Sequence, residues 1–241
     1  MFRQACPEET RRAQHERLKV ILDPPGDPAA NMTMDESLVQ QVRSGVAPFI
    51  LRVYRWNQPA ISLGRCQDPQ DLPADLTARG WPLVRRPTGG GAVLHRLDEV
   101  TYALAISSRQ IPAGVPLRRI PCLLHGTLRD LLIREGIVSA EELRIVPAGA
   151  AGPAPLCFSA PMEGDLLYRG VKVAGAALRV WRDALLLQGS LQGLPLEFIV
   201  ISGLLVQAAE IVKPALYAEE KRQPVLVHAA ISSPRVSLRS S

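Results

Sequence analysis

Cysteine is scarce and dispersed in this chain of 241 residues: Cys6, Cys66, Cys122 and Cys157 form no CxxC pair. The 4 histidines build no cluster at metal-ligand spacing, so neither a zinc site nor a disulfide framework is indicated. No apolar h-region follows Met1. Residues 1–17 are polar and charged, which points away from a secretory signal and toward a cytoplasmic location. The most apolar segment, Leu194 to Val212, is interrupted by Glu197, Gln207 and Glu210 and followed by Lys213-Pro214. Ionisable groups are costly inside a bilayer, so it reads as a buried helix and no membrane span is expected. The basic residues do not collect either. A net charge of +5 is spread along the chain without basic runs interleaved with aromatics, so nucleic acid is not the indicated partner. A modest positive excess suits the steering of acidic proteins instead. No internal repeat is visible.

What is present is apolar material, 47% of the residues, enough for one large core or one core with a small appendage. Residues 1–28 read as a charged lead-in ending in the Pro-rich turn Asp23-Pro24-Pro25-Gly26-Asp27-Pro28, with order beginning after it and a single domain over 29–241. Thr33-Met34-Asp35-Glu36 has the capping-box form and predicts a helix to about Arg43, with Met34, Leu38 and Val42 on its apolar face. Strands are expected near 49–56, 60–64, 82–86, 91–95 and 100–106. A helix follows over Leu117 to Glu135, its apolar residues recurring at helical spacing and Gly136 in the place of a C-terminal cap. Cys122 and His125 fall on this helix, where packing or surface roles are expected. Residues 147–156 are a low-complexity connector. Arg169-Gly170 is a hairpin turn signal between strands from Asp165 to Tyr168 and Val171 to Ala174. Ala184 to Leu187 suits another buried strand, and a helix broken near Pro214 covers much of Leu204 to Glu220. Strands with a few helices and no regular alternation predict an α+β fold of mixed, largely antiparallel sheets flanked by helices.

The stretch with most chemical content is Arg85-Arg86-Pro87-Thr88-Gly89-Gly90-Gly91-Ala92-Val93-Leu94-His95. Glycine lacks a Cβ, so three in a row allow main-chain N–H groups to approach an anionic or carbonyl oxygen closely, and neighbouring arginines supply the complementary charge. The flanking segments are strand-like, which makes the glycines a turn between strands.

The string resembles the RRxTGGGAVxH signature of the lipoate-protein ligase and octanoyltransferase family, which is related in fold to biotin protein ligases. Upstream, Asn31 to Glu36 is similar to the family's first helix start. Leu51 to Trp56 and Pro59 to Arg65 are similar to its first strand pair. Downstream, Lys172-Val173-Ala174-Gly175-Ala176-Ala177 resembles its lysine motif and Leu187-Gln188-Gly189-Ser190-Leu191 its closing segment, so the matches run in order over roughly residues 31 to 191. The resemblance implies a biotin/lipoate ligase-like catalytic domain. A biotin ligase proper is disfavoured, because RRPTGGG stands where a GRGRxGR-type loop belongs.

Two chemistries remain open within the family. Ligases use ATP and Mg to make an acyl-adenylate held by the glycine turn and the lysine. Transferases need no such cofactor and take octanoate from an acyl carrier protein thioester. Cys157-Phe158-Ser159-Ala160-Pro161, followed by Lys172, resembles the CFxxP element and downstream lysine of the cysteine-dependent octanoyltransferase branch, in which the cysteine carries the acyl group and the lysine favours its thiolate. Without the resemblance, strand alternation puts Lys172 on the face opposite Val171 and Val173, as an outward, solvated side chain. Gly89, Gly90, Gly91 and Ala92 are expected to offer N–H groups to the acyl carbonyl, and Gly175 to lie beside the substrate. Arg85 and Arg86 are expected to face the carrier's phosphopantetheine or an adenylate phosphate, and His95 either to pack beneath the loop or to touch substrate. The acceptor implied is a lysine of a lipoyl domain of the 2-oxoacid dehydrogenases, or of the glycine cleavage H protein. Departures are Gln188 where a histidine commonly precedes the final Gly-Ser, and Met162 and Gly164 after the CFxxP element. No long segment resembling the accessory domain of single-chain ligases follows, which weighs toward the transferase. A catalytically silent acyl-binding relative is the remaining alternative.

Overall fold

A computed structural model describes residues 18–111, 115–149, 156–194 and 196–218. Cys6 and residues 150–155 of the connector lie outside them. Described order begins earlier than expected, with strand β1 (Leu18–Leu22) inside the lead-in, paired in parallel with β2 (Phe49–Tyr54). Helix α1 (Pro28–Arg43) also starts earlier than the Thr33 capping box suggested. The Asp27 side chain accepts from the N–H groups of Ala29 and Ala30, and Pro28 fills the first helical position where its missing N–H costs nothing. The shift in start leaves Met34 exposed and turns Asn31, Met32 and Asp35 inward with Leu38 and Val42.

Strands β3 (Ala60–Leu63), β4 (Leu83–Arg85) and β5 (Val93–His95) form a small sheet in the order β4-β3-β5, with the one-turn helix α2 (Ala74–Thr77) in the β3–β4 connection. After β6 (Val100–Ser107) come helix α3 (Ile120–Arg134), β7 (Leu143–Ile145), β8 (Leu166–Tyr168), β9 (Val171–Val180), β10 (Ala184–Leu191) and helix α4 (Phe198–Ala218). The large sheet runs β1-β2-β6-β10-β9-β8-β7, antiparallel except at β1/β2. The fold is the expected α+β arrangement of mixed sheets flanked by helices. β7 was not foreseen, β9 and β10 run further than expected, and α4 begins at Phe198 and continues through Pro214 instead of breaking there. Among the described residues no helix is long and apolar enough to cross a membrane.

Strand alternation divides the core in two. Val53, Tyr102, Leu104, Leu185 and Leu187 face α3 and α4, where Leu124, Leu128, Leu205 and Ala208 complete the main cluster. The opposite face of β2, β6 and β10 carries Ile50, Ala103, Ala105 and Leu186 against Leu38, Val39 and Val42 of α1. On this second face the side chains nearest the small sheet become short or polar: Thr101, Gln188, Ser190, Gly175 and Ala177, in register across β6, β10 and β9. Short side chains leave the gap between the two sheets unfilled.

Candidate active site

That gap is a narrow cavity of about 30 Å³. The large sheet contributes Tyr54, Thr101, Gly175, Ala177, Gln188 and Ser190 to its wall; Ser62, Arg86, Val93 and His95 come from the small sheet side, Met32 from α1, and Cys157 joins them. Cys157 is delivered by main-chain pairing to the glycine loop: Leu156 bridges Ala92, and the Cys157 N–H donates to the Ala92 carbonyl at 2.8 Å. A tight turn follows, in which the Ser159 N–H and hydroxyl both donate to the Leu156 carbonyl. The turn aims the Cys157 and Ala160 carbonyls at one point.

Lys172 Nζ occupies that point, 2.6 Å from the Cys157 carbonyl oxygen, 3.5 Å from that of Ala160 and 3.6 Å from Cys157 Sγ. It also forms an ion pair with Asp165 Oδ2 at 2.6 Å and lies over the Phe158 ring. The side chains of Lys172 and Asp165 are 3% and 6% exposed, so the solvated, outward placement expected from alternation does not occur. The physical reason is a register slip between β8 and β9: Leu166 pairs with Ala174 and Leu167 with Lys172, leaving Val173 unopposed and packed in the apolar core. Such a slip breaks strict alternation and re-aims the neighbouring side chain. Burial pushes the Asp165 carboxyl upward in pKa while the Lys172 ammonium and the Met162 N–H pull it down.

Gly175 is where the lysine crosses the sheet. A Cβ there would lie 2.8 Å from Lys172 Cε and 3.1 Å from Nζ, so only hydrogen leaves room for the ammonium to reach Cys157. On the thioester route that the resemblance implies, Gly175→Ala is expected to displace Lys172 and lower single-turnover acylation of Cys157 by about 100-fold, the usual scale for a misplacement of roughly 1 Å. Unchanged acylation kinetics would show that the lysine position is not critical.

The basic pair is engaged with main chain. Arg86 is buried and donates through Nη2 to the carbonyls of Gly89 (2.6 Å) and Gly91 (2.7 Å) and through Nη1 to that of Ser62 (2.9 Å). Arg85 donates through Nη1 to the carbonyls of Gly64, Arg65 and Gln67. Both therefore clamp main chain. Arg86 also lines the cavity with no carboxylate partner among the described residues, and burial lowers its pKa to about 10 while Cys157 nearby acts in the opposite sense. The C=O and N–H of a trans peptide point in opposite directions, so turning the Gly89 and Gly91 carbonyls toward Arg86 turns the N–H groups of Gly90 and Ala92 away from it. Gly90 has a φ of +87°, a conformation that favours glycine. A Cβ at Gly64 would collide with the Gly90 carbonyl oxygen, a constraint with no local sequence signal. The sequence signal for Asp165 is only a carboxylate in the hairpin that carries the lysine.

His95 packs beneath the loop and also meets the cavity. Its ring stacks on Trp56, with centroids 3.8 Å apart, Nδ1 lies 2.6 Å from Glu99 Oε1 and Nε2 lies 2.7 Å from Ser62 Oγ. Gln188, at the position where the family commonly has histidine, accepts from Thr88 Oγ1 at 2.7 Å and donates to Asp35 Oδ2 at 2.7 Å, tying loop to helix. Burial raises the Asp35 carboxyl against the pull of Arg52.

Behind Lys172, His125 is fully buried, in the packing role expected of it. Nδ1–H donates to the Gly164 carbonyl at 2.6 Å, so Nε2 accepts from the Tyr102 hydroxyl at 2.8 Å. Burial lowers its pKa to about 4 from 6.5, with Lys172 adding in the same direction. The folded state thus binds this proton more weakly than the unfolded one, and stability should fall as pH drops from 6.5 through 4, by up to about 3 kcal/mol. Denaturant unfolding at pH 7 and 4.5 checks this (~2.5 pH units, the span of the shift), and His125→Gln should flatten the dependence. An equal slope in the variant would assign the effect to other groups.

Against known proteins, the family profile described as lipoyl protein ligase A/B catalytic domain matches residues 27–193. The chain is 35% identical over 185 residues to octanoyltransferase LipM of Oceanobacillus iheyensis, an alignment covering 73% of this chain and 64% of that enzyme, so it spans a little under two thirds of that relative's length. It is 30% identical over 233 residues to octanoyltransferase LipM of Brevibacillus brevis, covering 94% of this chain and 83% of that one. Among solved structures, a lipoate-protein ligase A bound with ATP superposes with a TM-score of 0.60 at 18% identity, over 85% of this chain and 93% of the other, which establishes a shared fold. With the Arg86-clamped glycine loop, the lysine hairpin and the profile match falling on the same residues, the chain belongs to the lipoyl protein ligase A/B catalytic domain family.

Proposed function

We propose that this protein is an octanoyltransferase that works through a thioester on Cys157, without ATP or Mg. The observation that carries the proposal is the placement of Lys172 Nζ 3.6 Å from Cys157 Sγ, braced by Asp165, at the wall of an apolar cavity. The likeness to LipM enzymes supports the same assignment. Burying an eight-carbon tail between the two sheets is worth about 0.8 kcal/mol per methylene, roughly 5 kcal/mol in all, and requires the present gap of about 30 Å³ to widen.

In the first half-reaction the Cys157 thiolate attacks the thioester carbonyl of octanoyl acyl carrier protein. A new C–S bond forms as the carrier's C–S bond breaks and the carrier leaves as its thiolate, which takes a proton from solvent, an exchange near thermoneutral because one thioester replaces another. Lys172 stabilises negative charge on sulfur, and Arg86 adds a second cation in the cavity wall. In the second half-reaction the amine of a lipoyl-domain or glycine cleavage H protein lysine attacks the Cys157 thioester. The amide C–N bond forms, the C–S bond breaks, and the amine's proton passes to the departing sulfur or to solvent.

Intact-mass spectrometry after incubation with octanoyl acyl carrier protein, without ATP, tests this. Wild type should gain one hydroxylamine-labile octanoyl group and Cys157→Ala none. No adduct, with lipoyl-domain acylation only on supplying free acid and Mg-ATP, would assign the chain to the ATP-dependent ligases.

A further inference from the structure

Outside the acyl cavity lies an open groove of about 510 Å³ that shares Met32 and Arg86 with it as a common wall. Its described lining includes Arg65, Arg85, Arg86 and Arg179 against a single carboxylate, Glu36. Three of these guanidinium groups are held in place, Arg86 by the carbonyls of Gly89, Gly91 and Ser62. Arg85 is fixed by the carbonyls of residues 64, 65 and 67, and Arg179 by the Pro87 carbonyl at 3.2 Å and by stacking over Trp181 at 4.2 Å. Arg65 is exposed at the edge. Partly immobilised guanidinium groups lining one groove suit the tetrahedral oxygens of a phosphoryl group and lose little side-chain freedom on binding one.

We propose that this groove seats the phosphoryl group of the donor's phosphopantetheine arm while the thioester at the arm's other end reaches Cys157. The proposal rests on the transferase assignment above. With the acyl tail placed between the sheets, the groove meets that cavity at the wall shared by Met32 and Arg86, and the charged group along the non-acyl part of the donor is the phosphoryl. Arg65 and Arg179 thereby become specificity residues for the donor, distinct from the main-chain clamps Arg85 and Arg86.

The test compares acylation of Cys157 by octanoyl-phosphopantetheine and by octanoyl-pantetheine, which lacks the phosphoryl, in wild type and in Arg65→Gln and Arg179→Gln. Wild type should prefer the phosphorylated donor by about tenfold or more in second-order rate, the scale of one or two charge-assisted hydrogen bonds, and each variant should shrink that preference. Equal rates for both donors in wild type, or a preference that survives in both variants, overturns the proposal while leaving the thioester route standing. Absence of any adduct from either donor overturns the route itself.

Discussion

Lys172→Met is expected to lower Cys157 acylation by at least about 100-fold, because it removes the cation nearest the sulfur from a water-poor site where such charge is worth most. It should also destabilise the fold by about 3–5 kcal/mol at neutral pH, since Asp165 is left as a buried carboxylate without its partner. The pH dependence separates the two effects. Burial already pushes the Asp165 carboxyl upward, and without Lys172 nothing of like strength opposes it. A folded pKa above the unfolded value means stability is present at low pH and lost as pH rises through the folded pKa, so the variant should be relatively more stable at pH 5 than at pH 8 (~3 pH units apart, spanning the usual range of a buried carboxyl). Adding Asp165→Asn should recover much of the stability and none of the activity. Denaturant unfolding with intact-mass kinetics checks both, and a double variant that regained acylation would remove Lys172 from the chemistry.

Arg86→Lys is expected to be far from conservative. The guanidinium fork satisfies the carbonyls of Gly89, Gly91 and Ser62 at once, and a single ammonium cannot span them. Leaving buried carbonyls short of donors should cost about 2–4 kcal/mol. The loop would also loosen where Ala92 holds the Cys157 N–H, so acylation should fall along with stability. Wild-type unfolding with wild-type acylation would show that the glycine loop holds its shape without this arginine.

The parts of the site legible in the sequence were those that depend on local chemistry. The glycine triplet had to be a turn because its conformations suit glycine, and Arg169-Gly170 had to be a hairpin for the same reason, with φ positive at both positions. The strands around the loop followed from apolar alternation, whereas Cys157 and Lys172 were singled out by the resemblance to the CFxxP element and its downstream lysine. The N-terminal strand β1 escaped notice because its stability comes from pairing with β2, some thirty residues on, and not from its own pattern.

What the tertiary structure alone decided was direction. Alternation counted from Val171 sends Lys172 outward; the register slip at Val173 and the hole left by Gly175 send it to Cys157 instead. Nothing in a sequence says which carbonyls a guanidinium will meet, and folding gave both arginines the glycine loop and the turn after β3. The chain by itself determined which chemical groups the site owns and in what order they come. Which of them touch was settled by strand register and by missing side chains, because contact between distant residues depends on geometry that no local stretch of sequence contains.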